Sequence, residues 1–200
     1  MNAATRDRVL FDRWAPRYDR SSAQWLFFVP VHVATLNAAT DAGADPKVIL
    51  DVGCGTGRLL ERAAERWPAA QLVGIDASPQ MVAQADDKHR GDPHFRIEVG
   101  DAAALPLETS SVDLAFSTVS FHHWSDQRGG VSEVQRVLRP GGLFVLADIR
   151  PPLLLRPVMR RFHGPASRRR LFENAGMKVI AQRRPLRIGG TVLVTVGRKG

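Results

Sequence analysis

Three features of the sequence predict an α/β fold built on a mostly parallel sheet. Short apolar strands alternate with helical stretches from residue 48 to about residue 150. One of those strands, Val48 to Val52, is almost entirely β-branched or apolar, as a strand covered on both faces should be. It runs directly into three glycines at alternate positions, Gly53, Gly55 and Gly57, and then into helix formers. The last quarter of the chain offers two further strands with a short connection. That implies a hairpin, which adds one antiparallel strand at the sheet edge.

Taken in order, the chain opens on an aromatic helical segment, Phe11 to Asp19. Leu26, Val29, Val33, Leu36 and Thr40 then fall at steps of three and four, one face of a helix. Pro30 inside that run predicts a kink or a late start near residue 29. The strand Val48 to Val52 comes next, with a helix from Arg58 to about Trp67, stopped by Pro68. Gln71 to Asp76 reads as a second strand. Ser78 followed by Pro79 then predicts a capped helix to about His89. Phe95 to Val99 makes a third strand, and Val112 to Ser117 a fourth that ends at Phe121-His122-His123-Trp124. Ser125 is placed as the cap of a helix through about Leu138, and Arg139-Pro140-Gly141-Gly142 as the turn into a fifth strand, Leu143 to Ile149. Pro165 to Ala175 reads as helix with Gly176 at its end, and Met177 to Gln182 and Thr191 to Val196 as the final strands.

The glycine turn carries the first chemistry. Little side-chain bulk there lets a ligand lie against the backbone, and free N–H groups at the following helix start can hold polar oxygens. Asp76, at the tip of the second strand, lies where a ribose diol would find an acceptor for two hydrogen bonds. A nucleotide-type cofactor follows. Dinucleotide-binding domains prefer G-x-G-x-x-G, a spacing this turn does not meet, because Leu59 and Leu60 follow Gly57.

Asp51-x-Gly53-x-Gly55-x-Gly57 with Asp76 resembles the class I S-adenosylmethionine (SAM)-dependent methyltransferases. Leu138 to Gly142 looks like their turn before the fifth strand, and Gly100-Asp101-Ala102 with Leu105-Pro106 like their adenine-pocket motif. The opening Phe-Asp-x-x-Ala-x-x-Tyr-Asp is similar to the ubiquinone/menaquinone-type group (methyltransferase type 11). The resemblance covers nearly the whole chain. It implies a Rossmann-like, seven-stranded, mostly parallel sheet with an antiparallel last strand and helices on both faces. Residues 1 to 46 would form a helical cover and 47 to 200 the SAM-binding core, together one compact domain.

The resemblance also implies roles. Gly53, Gly55 and Gly57 would admit the methionine portion of SAM, or of its product S-adenosylhomocysteine, with Asp51 supporting the ammonium. Asp76 would take both ribose hydroxyls. Asp101 and the Ala102 N–H would read the adenine, Ala77 and Met81 would pack on it, and Ser117 would complete the cofactor set. An acceptor that is a phenol, hydroxyl or carbon acid needs a base. His122, His123 and Tyr18 are the candidates, with His122 favoured; in an extended segment the two histidines would point opposite ways. Trp14, Trp25, Phe27 and Phe28 either line an acceptor pocket or fill the core. His-His-x-x-Asp without a further cluster does not suggest a metal.

Composition bounds the partners. Two hundred residues with one cysteine, Cys54, suit a single domain without an internal disulfide, and no signal peptide or apolar run long enough for a membrane span is apparent. A soluble cytoplasmic protein, monomer or homodimer, is expected. The net charge of +8 is uneven: residues 150 to 200 hold eleven Arg and two Lys against Glu173 alone, leaving the first 149 residues acidic. Arg160, Arg161 and Arg168 to Arg170 are expected to flank the entrance for a small anionic or membrane-associated acceptor. The rival readings are a nucleic-acid methyltransferase and a non-catalytic SAM-binding protein. Against the first, the basic tail lacks aromatics interleaved for base stacking. Against the second stand the intact glycine turn and both acids.

Overall fold

The computed structural model describes residue 19 and residues 24–150, 161–185 and 191–200. Trp14, Tyr18 and Arg160, and all of the opening motif but Asp19, lie outside the described residues, as does the side chain of Trp25.

A π-helical turn, Gln24–Phe28, leads into helix α1, Val29–Asp41, with Pro30 in its first turn. Proline is tolerated there because its missing N–H would have no helical partner anyway. The α-helix proper begins at Val29, near the predicted start, but the chain before it is already wound as a π-helical turn. Strand β1 (Val48–Val52), α2 (Arg58–Arg66), β2 (Gln71–Asp76), α3 (Pro79–Lys88) and β3 (Phe95–Val99) follow in strict alternation. Ser78 caps α3 by accepting from the Met81 N–H at 3.2 Å. Beyond β4 (Val112–Thr118) a 3-10 turn, Phe121–His123, precedes α4 (Gln127–Val137). The cap of α4 is Asp126, not Ser125: its Oδ1 accepts from the Arg128 and Gly129 N–H groups, each at 3.0 Å. Strand β5 (Leu138–Ile149), α5 (Pro165–Asn174), β6 (Met177–Arg183) and β7 (Val192–Lys199) complete the order.

Among the described residues seven strands form one sheet in the order β3-β2-β1-β4-β5-β7-β6. The first five are parallel, and β7 is antiparallel to both β5 and β6. The antiparallel strand thus lies inside the sheet, next to the edge strand β6, rather than at the edge as the hairpin alone suggested. Alternate residues feed two cores. Ile49, Leu59, Leu60, Phe116 and Val145 pack on one face with Val31, Leu36 and Ala39 of α1. Leu50, Phe121, Val131, Phe144 and Phe172 pack on the other.

Arg139 to Gly142 does not simply precede β5. Val112 pairs with Leu138 and Leu114 with Leu143, so the four residues bulge out of a strand already begun. Asp113 fixes this end: it accepts from Arg139 Nη1 at 2.6 Å and from the Lys47 and Val48 N–H groups at 2.9 and 2.8 Å. The sequence Leu138 to Gly142 therefore ties together the starts of β1, β4 and β5, at the opposite end of the sheet from the glycine turn.

Candidate functional site

Strand order reverses between β1 and β4, and open α/β sheets place ligands in the crevice at such a point, beyond the carboxyl ends of the strands. The glycine turn sits there. The Gly53 N–H donates to Ile75 O at 2.7 Å, with φ +77°; a Cβ on Gly53 would lie 2.3 Å from Ser120 Oγ. Ser120 Oγ in turn donates to Val52 O at 3.0 Å and lies 2.8 Å from Ser117 Oγ. Ser117 is fully buried, so it reaches the turn only through Ser120. Gly55, at φ +54°, differs: a Cβ there would meet nothing within 4 Å. Gly57 caps α2, its N–H donating to Cys54 O at 3.0 Å. The Cys54 thiol is buried beside two carboxylates and stays protonated, its pKa pushed well up.

Asp76 holds this turn as well as facing the cleft. Its Oδ2 accepts from the Gly55 N–H and its Oδ1 from the Ser78 N–H, each at 2.8 Å. Both oxygens are thus engaged by the backbone of the turn and of the α3 cap. Asp101 occupies the corresponding tip beyond β3. It is exposed and accepts from the Ala103 N–H at 2.9 Å and from Ser125 Oγ at 3.0 Å. Ala102 and Met81 are buried and Ala77 is exposed. Since β3, β2 and β1 are neighbours, Asp101, Asp76 and the glycine turn form one row across the tips of adjacent strands.

A pocket of about 300 Å³, partly open to solvent, lies against the turn and is lined by Phe28, His32, Asp51, Gly53, Gly55 and Thr118 among others. Asp51 is 1% exposed, and its Oδ1 has no hydrogen-bond partner among the described residues. Burial, and then the charge of Asp76, push its pKa up to about 8. A carboxylate so placed lacks a cation. Over the turn lies Asp19, which accepts from Thr56 Oγ1 at 2.7 Å and pairs with Lys88 and with Arg58. That contact was not readable from the sequence.

His122 is on the 3-10 turn beyond β4. Its N–H donates to Asp148 Oδ2 at 2.9 Å, and its Nδ1 lies 2.7 Å from Asp148 Oδ1. Asp148 is the buried penultimate residue of β5. Phe162 stacks on the His122 ring at 4.5 Å. The turn corrects the extended reading: the His122 and His123 rings lie 3.9 Å apart rather than on opposite sides. Of the arginines expected near an entrance, Arg161 lies beside this turn, its Nη2 donating to Trp124 O at 2.7 Å. Arg168 does not flank an entrance. It is fully buried, donates through Nη1 to Leu146 O and Leu193 O, and feels the Asp148 charge; burial lowers its pKa to about 10. Arg169 and Arg170 are exposed on α5. Among the described residues no group of three or more His, Cys, Asp or Glu side chains is arranged to hold a metal.

Sequence reasoning missed Asp148, Asp19, Ser120 and His32. Two of them left a signal: Asp148 is an acid at the end of an otherwise apolar strand, and Asp19 closes the opening motif.

Residues 50–146 match the family profile described as a methyltransferase domain. The chain is 35% identical over 144 residues to demethylmenaquinone methyltransferase of Deinococcus radiodurans, covering 72% of this chain and 60% of that one. It is 32% identical over 186 residues to malonyl-[acyl-carrier protein] O-methyltransferase of Dechloromonas aromatica, covering 88% of this chain and 66% of that one. The chain thus spans about two thirds or less of the length of these relatives. A SAM-dependent methyltransferase from Aquifex aeolicus has the same fold, with a TM-score of 0.76 at 20% identity over 94% of this chain and 98% of that one. The glycine turn with its open face, the row of acids on adjacent strands and the sheet order agree with these matches: the chain belongs to the class I SAM-dependent methyltransferases.

Proposed function

We propose that this chain methylates a small hydrophobic or anionic acceptor that carries a dissociable proton, with His122 as the base. The observation that carries this reading is the pair of contacts between His122 and Asp148. A carboxylate accepting from Nδ1–H leaves the lone pair on Nε2, the nitrogen that can take a proton. The backbone contact fixes the ring's position on the same acid.

The residues present fit the cofactor: an open face at Gly55 and an unpartnered buried acid, Asp51, lie in one pocket. When bound, SAM supplies a methyl group on a sulfonium, already activated, so alignment can provide much of the rate. In this reading Gly53 and Gly55 let the methionine portion approach, and Asp51 accepts from its ammonium. Asp76, at the tip of β2 beside the glycine turn, accepts from the ribose hydroxyls. Asp101 and the Ala102 N–H read the adenine, with Ala77 and Met81 against its faces. The segment up to residue 46 acts as a cover, supported by Asp19 on the glycine turn; Tyr18, beside it in sequence, is a second candidate base.

One relative is by name an O-methyltransferase, so an oxygen acceptor is our first choice. A cytoplasmic location is part of the same reading. The test is release of S-adenosylhomocysteine from a panel of phenols, hydroxy acids, carbon acids and carboxylates. Turnover confined to acceptors with a dissociable proton, and lost in His122→Gln, is expected. Turnover of carboxylates alone, indifferent to His122→Gln, would remove the base from the mechanism. Turnover of none would favour a binding protein.

A further inference from the structure

The pocket beside the glycine turn contains a side chain to which the cofactor reading gives no role. His32, in the first turn of α1, lines it together with Asp51, Gly53 and Gly55. It is 6% exposed, and its Nδ1 has no hydrogen-bond partner among the described residues. Buried ring nitrogens are normally paired, because an unmade bond in low dielectric is costly. A second orphan lies in the same pocket, Asp51 Oδ1.

The surroundings say what each orphan lacks. Burial first, and then the positive charge of Arg62 and Arg58 of α2, lower the pKa of His32 to about 3. Arg58 is partly neutralised by Asp19 and Glu61, each at 3.3 Å. The imidazole is therefore neutral and can still donate through Nδ1–H. Burial disfavours any lone charge at this spot, but the positive charge of Arg62 and Arg58 makes an anion the better guest than an ammonium. Asp51 is the converse, an acid in need of a cation. A ligand with an ammonium and a carboxylate on one carbon satisfies both orphans at once.

We propose that His32 donates from Nδ1 to the α-carboxylate of the cofactor's methionine end, while Asp51 accepts from its ammonium. The proposal rests on the reading that this pocket takes SAM, and it makes α1 a reader of the amino-acid end as well as a packing helix. Because Asn presents an amide N–H on a short stem, His32→Asn should keep part of the contact. His32→Leu should keep none.

The experiment is calorimetric binding of three probes: S-adenosylhomocysteine, its decarboxylated analogue S-adenosyl-3-thiopropylamine, and its deaminated analogue. The wild-type chain is expected to bind S-adenosylhomocysteine about tenfold or more tighter than the decarboxylated probe. His32→Leu should close that gap, weakening S-adenosylhomocysteine and the deaminated probe while leaving the decarboxylated one within about twofold; His32→Asn should restore part of it. Equal weakening of all three probes would mark His32 as structural and overturn the proposal. So would a loss that follows the ammonium, or no loss at all. Should the variants fail to fold, the 15N shift of His32 Nδ1 in the wild-type chain decides: it should move with S-adenosylhomocysteine and not with the decarboxylated probe, and equal movement with both would overturn it. Failure of the wild-type chain to bind S-adenosylhomocysteine would instead bring down the cofactor reading itself.

Discussion

Asp51 shows how a single buried acid trades stability for binding. Its folded pKa of about 8 lies above the ordinary 3.8, so between those values the folded chain binds a proton that the unfolded chain has lost. Stability of the ligand-free chain therefore falls as pH rises through that window, and the loss is complete above about pH 8. Asp51→Asn should remove the loss. We expect it to raise the ligand-free melting temperature at about pH 9 relative to wild type, with little difference at about pH 4, and to shrink the stabilisation by S-adenosylhomocysteine. Melting curves with and without that ligand check both halves, and a variant less stable than wild type at high pH would sink the argument. At His122 the expected pattern is different. His122→Gln and Asp148→Asn should lower kcat by roughly 10²- to 10⁴-fold while S-adenosylhomocysteine affinity stays within about twofold. Matched losses in affinity would show that both residues shape the cofactor pocket instead.

At the scale of elements, α5 separates two kinds of arginine that the sequence presents as one run. Arg168 faces the sheet beneath Asp148, whereas Arg169 and Arg170 face solvent. Arg168→Met leaves the buried Asp148 without that nearby charge and removes the side-chain donor to two carbonyls. It should cost roughly 3–5 kcal/mol in urea denaturation, while Arg169→Gln and Arg170→Gln stay within about 0.5 kcal/mol. A neutral Arg168→Met would mean that the guanidinium is replaceable packing. The same element marks the limit of sequence reading. Strands and helices up to β5 were legible because each carries its own period and its own cap or breaker, as Ser78-Pro79 does for α3. The register of β7 was not, because a hairpin states which strands are neighbours and leaves open which of them docks on β5. Within the site, the glycine turn, Asp76 and Asp101 were legible as a local pattern. Asp148 and His122 meet from 26 residues apart. His32 is hidden in an apolar helix, where a lone histidine reads as packing.

For the molecule as a whole, the basic tail is less of a free surface than its charge suggests. Arg183 pairs with Asp41, Arg198 donates to Ala42 O, and Lys199 donates to Leu138 O at 2.7 Å. These contacts spend cations on joining the last strands to the start of the core. Binding to oligonucleotides should accordingly be weak at physiological salt, with a shallow salt dependence; sub-micromolar binding with a slope near −0.9 per phosphate over several phosphates would revive the nucleic-acid reading. The placement of β7 also imposes an order of assembly. Strands β6 and β7 can pair locally, but β7 must still find β5, joining residues as distant as Leu143 and Arg198. Until it does, β5 offers an open, apolar edge to any passing chain. The parts that meet at that seam are Leu146, Leu193 and Arg168, beside Asp148. The glycine turn, by contrast, is complete within β1, β2 and β4. A nascent chain would therefore acquire the means to hold its cofactor before it acquires a fixed base, and for that interval could load without turning over.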